Sequence, residues 1–295
     1  MDGGAHTMMS VGLGILFDGL AYGMLLFLIS IGLSVTMGLM GFVNLAHGAF
    51  AMFGGYLATV LMQQAGWPFL ATLPAAFVVV ALASVVVERV LYRRLYRRGP
   101  LDQVLFTIGL TFMAVAGITW MFGPSQQPVV LPDFLQGQTR LMGLDFGIYR
   151  LFLIAVGVAV TAAVVLGIER TRFGAMVRAA VDNPVMATGL GINVGGVFAV
   201  AFALGSGLAG LGGALGIQIL GLDPSFPLKY LVFFLIVVSV GGLGSVSGTL
   251  LAACLVGVFD VFGKYYLPQV GAFIIYAVMV GLLMWRPNGL LGKRA

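Results

Sequence analysis

The chain has 295 residues, of which 60% are hydrophobic and 8% are charged, and its formal net charge at pH 7 is +5. Soluble domains carry about 25% charged residues, whereas the 69 residues between Asp18 and Glu88 contain no Asp, Glu, Lys or Arg. These features exclude a soluble fold, which would expose one continuous apolar surface, and predict a polytopic membrane protein.

Long apolar runs define the predicted membrane segments. A bilayer core about 30 Å thick requires roughly 20 mostly apolar residues per crossing, and continuous runs indicate helices, which satisfy their own backbones. The predicted fold class is an all-α, polytopic transmembrane helix bundle, one domain over 1–295, with eight to ten segments, some broken or re-entrant. The segments are Val11–Met37, Leu45–Met62, Leu70–Val90, Val104–Phe122, Leu151–Ile168, Val197–Leu220, Tyr230–Val240, Thr249–Phe262 and Gly271–Trp285. The seventh and eighth are too short for ordinary full crossings.

Basic residues indicate the orientation of these segments. Eleven of the 15 follow the third, fifth and last segments: Arg89, Arg93, Arg94, Arg97, Arg98, Arg170, Arg172, Arg178, Arg286, Lys293 and Arg294. The positive-inside rule makes that face cytoplasmic, with the N-terminus outside, the C-terminus inside and an odd number of crossings, such as nine. The positive charge is thus explained by topology rather than by nucleic acid. The N-terminus lacks a basic leader, so the first segment is expected to remain.

Polar residues interrupt the pattern between the first two segments, in GLMGFVNLAHGAF (38–50). Polar groups in hydrocarbon cost free energy unless they are paired or face water. Two interpretations stay open. The simpler is a tight cytoplasmic turn in which Asn44 caps the second helix. The alternative is a broken membrane helix in which Asn44 and His47 line a transport path.

The connection between the fourth and fifth segments, Gly123–Tyr149, is the longest one predicted outside the cytoplasm. It contains Pro124, Pro128 and Pro132, and it is predicted to form a loop or a short hairpin. It is either a contact for an extracytoplasmic partner or a simple connector.

The connection between the fifth and sixth segments, 169–195, is polar, basic and compatible with helix. Its helix signals are an N-cap residue, a proline in the first position and a terminal glycine, at Asp182 or Asn183, Pro184 and Gly191. They predict a short helix from about Pro184 to Leu190. Met186 and Leu190, four residues apart, form one apolar ridge on it. A docking helix needs such a ridge, whereas a solvated connector does not.

Glycines and hydroxyl residues interrupt the apolar run in VSVGGLGSVSGTLLA (238–252) and predict two short half-spans. Such discontinuous helices often expose backbone dipoles to a polar substrate. They also occur as packing kinks. Both interpretations stay open.

Two acidic residues, Asp18 and Asp260, lie in or beside apolar segments. An ionised group at the centre of a membrane helix costs about 2.5–3.5 kcal/mol. A proton-coupled carrier uses such residues, but both lie near predicted segment ends, which favours placement at the membrane interface.

Glycine occurs 44 times, and small-xxx-small pairs at Gly19/Gly23, Gly212/Gly216 and Gly244/Gly248 predict close helix packing. The residues 205–210 match G-x-G-x-x-G, but they lie in an apolar helix without a preceding strand, which argues against a dinucleotide site. The sequence shows no metal-ligand cluster and no nucleophile–base pair. A chain that is not an enzyme and binds no cofactor is expected.

Several motifs, in a common order, resemble a known family. They are AYGMLLFLISIGLSVTMGLMGFVNLAHGAF (21–50), RAAVDNPVMATGLGINV (178–194), GGLGSVSG (241–248) and RPNGLLGK (286–293). Together they resemble the LivH-type permease of bacterial ABC importers for branched-chain amino acids.

The resemblance implies a multi-pass subunit of the bacterial inner membrane, surrounded by lipid, that forms half of a heterodimeric pore with a related, longer permease. Two cytoplasmic ATPase subunits would bind ATP, and an extracytoplasmic binding protein would deliver the substrate. The residues implied to couple to the ATPase are Arg178, Asp182, Asn183, Pro184, Met186, Ala187, Gly189, Leu190 and Gly191. Those implied to lie at or near the translocation path are Asn44, Ala46, His47, Gly48, Gly241, Gly242, Gly244, Ser245 and Gly248.

One stretch departs from the family pattern. KYLVFFLIVVSV (229–240) is bulkier than the sequence rich in Gly and Ala that the family usually has there. Related permeases carry urea, short amides or other amino acids, so these substrates remain alternatives. A self-sufficient ion-coupled carrier that uses Asp18 or Asp260 is the competing class.

Overall fold

A computed structural model describes residues 2–96, 98–129, 131–141 and 144–292. The helices in these ranges are α1 (Asp2–Leu39), α2 (His47–Gln63), α3 (Phe69–Val90), α4 (Pro100–Phe122), α5 (Ile148–Glu169), α6 (Arg172–Asp182), α7 (Pro184–Gly189), α8 (Val194–Leu220), α9 (Phe226–Gly241), α10 (Val246–Tyr266) and α11 (Gly271–Trp285). Two short strands, β1 (Gln138–Leu141) and β2 (Leu144–Gly147), form an antiparallel hairpin. Within the described residues, six helices are long and apolar enough to cross a membrane: α1, α3, α4, α5, α8 and α10. The predicted polytopic helix bundle is confirmed.

The helix boundaries correct one prediction about segment length. The α9 helix has 16 residues and is short, as predicted, but α10 has 21 residues and is long enough for a full crossing. The predicted interruption in 238–252 is present at residues 242–245, but the second predicted half-span is wrong. The sequence suggested a shorter apolar segment because hydroxyl residues occupy the first turn of α10. The Thr249 hydroxyl lies 2.7 Å from its own helix at Ser245 O and 2.9 Å from Ser34 Oγ on α1, so it is satisfied inside the bundle.

The α1 helix is the centre of the bundle. Five consecutive residues, Leu25 to Ile29, are fully buried. Because five residues cover more than one helical turn, every side of α1 is covered there. The helices packed around it include α5, α8, α9 and α10.

Glycines bring the central helices into backbone contact. A Cβ added to Gly32 of α1 would lie 2.3 Å from the carbonyl oxygen of Gly205 on α8. On α10, a Cβ at Gly257 would lie 2.4 Å from Gly19 O, and α2 meets α8 in the same way through Gly54 and Gly210. The close packing predicted from the Gly19/Gly23 spacing is confirmed. The glycines at 205 and 210 serve this packing.

Most of the arginines that follow α3, α5 and α11 are found at one end of the bundle. At this end Gly38 of α1 contacts Gly244, Gly242 contacts Gly292, and the Arg93 side chain approaches Gly195. We call it the basic end; it contains Arg93, Arg94, Arg98, Arg170, Arg172, Arg178 and Arg286. Arg97, Lys293 and Arg294 lie outside the described residues. The opposite end, which carries β1 and β2, is called the hairpin end.

Replacement of Gly32 by valine is expected to disrupt the bundle. The new side chain would overlap the Gly205 backbone, which cannot rotate away, so the loss of stability should exceed the 1–3 kcal/mol typical of overpacking. Thermal melts and size-exclusion profiles of the detergent-purified protein measure this. Gly14→Val on the same helix is the control, because nothing lies within 4 Å of its Cβ position. Equal stability of the two variants would contradict the proposed contact.

Candidate functional site

The chain between α1 and α2 re-enters the bundle without helical structure. After Gly41, which has a φ of 62°, residues 42–46 run back along the interior, and α2 begins at His47. His47 Nε2 lies 2.8 Å from the carbonyl oxygen of Ile29, deep within the apolar stretch Val11–Gly38. The N-cap of α2 is Ala46, which makes no side-chain cap bond. Asn44 is therefore not the N-cap of α2, and the chain breaks inside the bundle as the second interpretation expects. The part of that interpretation in which Asn44 and His47 line a transport path stays a prediction.

Side chains of α4 satisfy the backbone of this re-entrant segment. Val43 N donates to Gln103 Oε1 at 3.0 Å, and Leu45 N donates to Thr107 Oγ1 at 3.2 Å. Thr111 Oγ1 donates to Leu45 O at 3.4 Å. Non-helical backbone is tolerated at membrane depth only where such partners exist. The spacing of four residues places all three side chains on one face of α4, a sequence signal that our sequence analysis missed.

Asn44 and His47 are both buried at this junction. Asn44 Oδ1 accepts from Ala46 N and from Tyr92 OH, each at 3.2 Å. Since a carbonyl oxygen only accepts, His47 Nε2 is the donor to Ile29 O, which leaves His47 Nδ1 as an acceptor. In the described residues neither His47 Nδ1 nor Asn44 Nδ2 has a hydrogen-bond partner. The junction therefore contains one donor group and one acceptor that are free to bind a solute. Leaving each of them unpaired costs the folded protein about 1–3 kcal/mol.

Aromatic rings enclose the basic-end side of the junction. Tyr92, fully buried just after α3, lies 4.9 Å from the Phe42 ring and 5.3 Å from the Phe202 ring between centroids. Tyr96 packs on Phe42 and donates to Glu88 Oε1 at 3.0 Å. Burial, and then the charge of Glu88, raise the pKa of the Tyr96 hydroxyl far above its ordinary value. The hydroxyl therefore remains a donor at neutral pH.

The neighbouring path candidates belong to two different places. Ala46 and Gly48 are buried beside Asn44 and His47, and a Cβ on Gly48 would lie 3.0 Å from Pro227 Cα at the start of α9. The pair Gly241 and Gly248 instead packs backbone to backbone between α9 and α10, where a Cβ on Gly248 would lie 2.0 Å from Gly241 O. Ser245 caps α10 by accepting from Gly248 N at 3.0 Å.

The 241–248 segment lies at the basic end rather than at the junction. Gly244 contacts Gly38, which is nine residues, or about 14 Å along α1, from the residue that His47 contacts. Gly242, with a φ of 93°, packs on the loop that follows α11. The structure thus brings Asn44, Ala46, His47 and Gly48 together. A separate region at the basic end, where α9, α10 and the loop after α11 pack together, contains Gly241, Gly242, Gly244, Ser245 and Gly248.

The polar connection 169–195 contains two helices, of which the sequence analysis predicted the second. The predicted short helix is confirmed as α7: Asn183 Oδ1 accepts from Met186 N at 2.9 Å, and Pro184 occupies the first position. The helix ends in a Schellman turn, in which Gly191 has a φ of 83° and Ile192 N donates to Ala187 O at 3.0 Å. Asp182 is the exposed last residue of α6.

The α7 helix exposes apolar side chains. Val185, Met186 and Leu190 are 81%, 65% and 77% exposed; we call them the α7 apolar face. The predicted ridge of Met186 and Leu190 is confirmed, and Val185 extends it. Ala187, in contrast, is buried and holds the helix against its neighbours. Gly189 is exposed, with open space at its Cβ position.

The α6 helix ties this face to the membrane helices. A Cβ on Gly174 would overlap Ile168 O, and the Arg178 guanidinium donates to the same carbonyl at the end of α5. Val177 and Ala180 of α6 form a small buried cluster with Val197 of α8. Direct contacts of α6 therefore connect α7 to α5 and α8.

Comparison with known proteins places the whole chain in one family. A family profile described as branched-chain amino acid transport system / permease component matches residues 15–283. The high-affinity branched-chain amino acid transport system permease protein BraD of Pseudomonas aeruginosa is 27% identical, over 94% of this chain and 95% of BraD. The permease protein LivH of Escherichia coli K12 is 25% identical over 94% of each chain. The permease protein LivM of Salmonella typhimurium is 26% identical over 91% of this chain and 68% of LivM. No solved structure matches the chain.

Replacement of Thr107 by valine is expected to loosen the re-entrant segment. The isosteric change removes the acceptor of Leu45 N and leaves that buried amide unpaired, at a cost of about 1–3 kcal/mol. Hydrogen exchange measured by mass spectrometry should show faster exchange in peptides that cover residues 40–48. Thr119→Val is the control, since the Thr119 hydroxyl bonds only to its own helix at Val115 O. Unchanged exchange in the Thr107→Val protein would contradict the role assigned to α4.

Proposed function

The chain belongs to the family of permease components of branched-chain amino acid transport systems, and we propose that it is one half of the membrane pore of an ABC importer. In this proposal it pairs with a second, related permease and carries leucine, isoleucine or valine into the cytoplasm. Two cytoplasmic ATPase subunits supply the energy, and an extracytoplasmic binding protein delivers the substrate. The chain itself has the role of a transport subunit.

The α7 apolar face is the observation that carries the proposal. Three large exposed apolar side chains, two on α7 and one at its C-cap, form the kind of surface that marks a contact with another protein. Arginines surround this face at the basic end, which the positive-inside rule assigns to the cytoplasm. A cytoplasmic ATPase is the partner that an importer of this family requires there. The N-terminus is then outside and the C-terminus inside.

The link through α6 supports a mechanical role for this contact. When the ATPase subunits close on ATP, α7 moves with them, and α6 transmits the displacement to α5 and α8. Because α8 is packed on α1 by direct backbone contact at Gly32 and Gly205, the central helices move together. Such rigid-body rocking alternates access to the two sides of the membrane.

The re-entrant junction supports a path for a solute without net charge. A zwitterion needs hydrogen-bond donors and acceptors more than full counter-charges. Asn44 Nδ2 and His47 Nδ1 are an unused donor and an unused acceptor at this depth. We assign these two side chains to the translocation path and assign the 241–248 segment to support of the helices.

The relatives support the choice of partners. This chain is similar both to LivH and to LivM, each named as a permease of a high-affinity branched-chain amino acid transport system. Two related permeases of that kind are the expected halves of one pore. The hairpin end, with β1 and β2, is the surface that we assign to the extracytoplasmic binding protein.

Truncation of Leu190 to alanine is expected to weaken ATPase docking without unfolding the chain. An exposed side chain contributes little to folding, whereas loss of a central apolar contact costs an interface more than about 1 kcal/mol. Pull-down of the ATPase subunits and leucine-dependent ATP hydrolysis measure the effect, expected to be about tenfold. The control is Leu267→Ala, an exposed leucine at the hairpin end. Equal ATPase binding by the two variants would exclude the α7 apolar face as the docking site.

The orientation is tested by labelling from outside the cell. In a Cys254→Ala background, a membrane-impermeant maleimide should label a Ser125→Cys protein in intact cells. It should label a Thr188→Cys protein only after lysis. Both positions are exposed, one near the hairpin end and one on α7. The reverse labelling pattern would invert the proposed topology.

A further inference from the structure

Five charged side chains surround one cavity at the hairpin end. The cavity has a volume of about 300 Å³ and lies between α1, α5, α8, α9 and α10. The five are Asp18, Arg150, Lys229, Asp260 and Lys264. This number is notable in a chain with only 8% charged residues, and the cavity is at the small end of the range for small-molecule sites.

Four of the five charges form two ion pairs. Arg150 Nη1 lies 2.6 Å from Asp18 Oδ1, and Lys264 Nζ lies 2.6 Å from Asp260 Oδ2. The sequence analysis expected Asp18 and Asp260 at the membrane interface. Asp18 is partly exposed, but the Asp260 side chain is only 3% exposed. Asp18, Arg150 and Lys264 each have a partner in these pairs, whereas Asp260 uses only one of its two carboxylate oxygens.

The unused groups have opposite charge. Asp260 Oδ1 is buried and has no hydrogen-bond partner within the described part of the chain. On the facing helix α9, Lys229 forms none of the ion pairs recorded between described residues; its Nζ lies over the Tyr230 ring, 5.3 Å from the centroid. A buried carboxylate oxygen without a donor is costly. The cavity thus presents one unused acceptor and one unused cation.

Apolar side chains complete the wall. Ile219 and Leu220 of α8, Phe233 of α9 and Val261 of α10 line the same cavity. An α-amino acid with an aliphatic side chain has the complementary groups: an ammonium, a carboxylate and an apolar branch. An inorganic ion would leave the apolar wall without a partner.

We propose that this cavity is an acceptance site that binds the zwitterion of an aliphatic amino acid before it enters the pore. The ammonium group donates to Asp260 Oδ1, the carboxylate accepts from Lys229 Nζ, and the side chain packs on Phe233 and Val261. The direction of use rests on the proposed import function. The binding chemistry rests on the cavity alone.

The test uses the ligand pair L-leucine and 4-methylpentanoate, which share the carboxylate and the aliphatic branch but differ in the ammonium group. The full chain with its co-purifying partners is placed in nanodiscs and treated with an amine-acylating reagent. Mass spectrometry then measures the acylation rate of Lys229 over a series of ligand concentrations, with the reagent in large excess over the ligand so that the free amine of leucine does not deplete it. Leucine should protect Lys229 at about tenfold lower concentration than 4-methylpentanoate. This factor is the gain in affinity expected from one additional charge-assisted hydrogen bond.

The Asp260→Asn variant isolates the assigned contact. The tenfold advantage of leucine should disappear in it, because the ammonium loses its charged acceptor. The advantage should persist in the control Asp145→Asn, which removes an exposed carboxylate from the hairpin. Equal protection by both ligands in the wild-type protein overturns the proposal without any variant. A leucine advantage that survives Asp260→Asn overturns it as well.

Uptake of branched-chain amino acids by the same preparation in ATP-loaded proteoliposomes, with the extracytoplasmic binding protein added outside, separates the two proposals. Uptake without protection of Lys229 rejects the cavity as an acceptance site and leaves the import function standing. Protection with the expected ligand pattern, but without uptake, supports the site and contradicts the import function.

Discussion

The architecture depends on one constraint, which is that every backbone polar group inside the membrane must be paired within the protein. Residues 40–46 are not helical, although they lie inside the bundle. Gln103, Thr107 and Thr111 on one face of α4 form hydrogen bonds with the amides of Val43 and Leu45 and with the carbonyl of Leu45. The start of α2 beside the middle of α1, and the burial of Asn44 and His47, follow from this arrangement. A functional junction is thus possible here because another helix supports it.

Close glycine contacts turn the remaining helices into one mechanical unit. Where Gly32 meets Gly205, the helices touch through their backbones, without flexible side chains between them. Packed interfaces of this kind shift between discrete arrangements rather than deform continuously. The same principle operates at Gly174, where α6 is seated on the end of α5. In the proposed transport cycle, a displacement of α7 would therefore move whole helices.

Charge and polarity divide the molecule into three levels. The basic end gathers arginines that form no ion pair within the described residues. Ion pairs and two unused groups of opposite charge surround a cavity at the hairpin end. Between them, the re-entrant junction offers polar atoms without full charge.

The sequence by itself determined the features that depend on local composition. Apolar runs of membrane length defined the bundle, and cap residues with a terminal glycine defined α7 and its exposed ridge, because these signals act within a few residues. Tertiary structure alone decided the pairings between distant segments. The sequence does not show that Thr249 lies beside Ser34 of α1. It also does not show that Asn44 accepts from Tyr92, or that α4 supplies partners to Val43 and Leu45 about 60 residues away. Asp260 and Lys229 likewise share a cavity only because α9 and α10 pack on α1. Hydrogen bonding and burial at these sites depend on neighbours that are remote in the chain, so no local pattern could predict them.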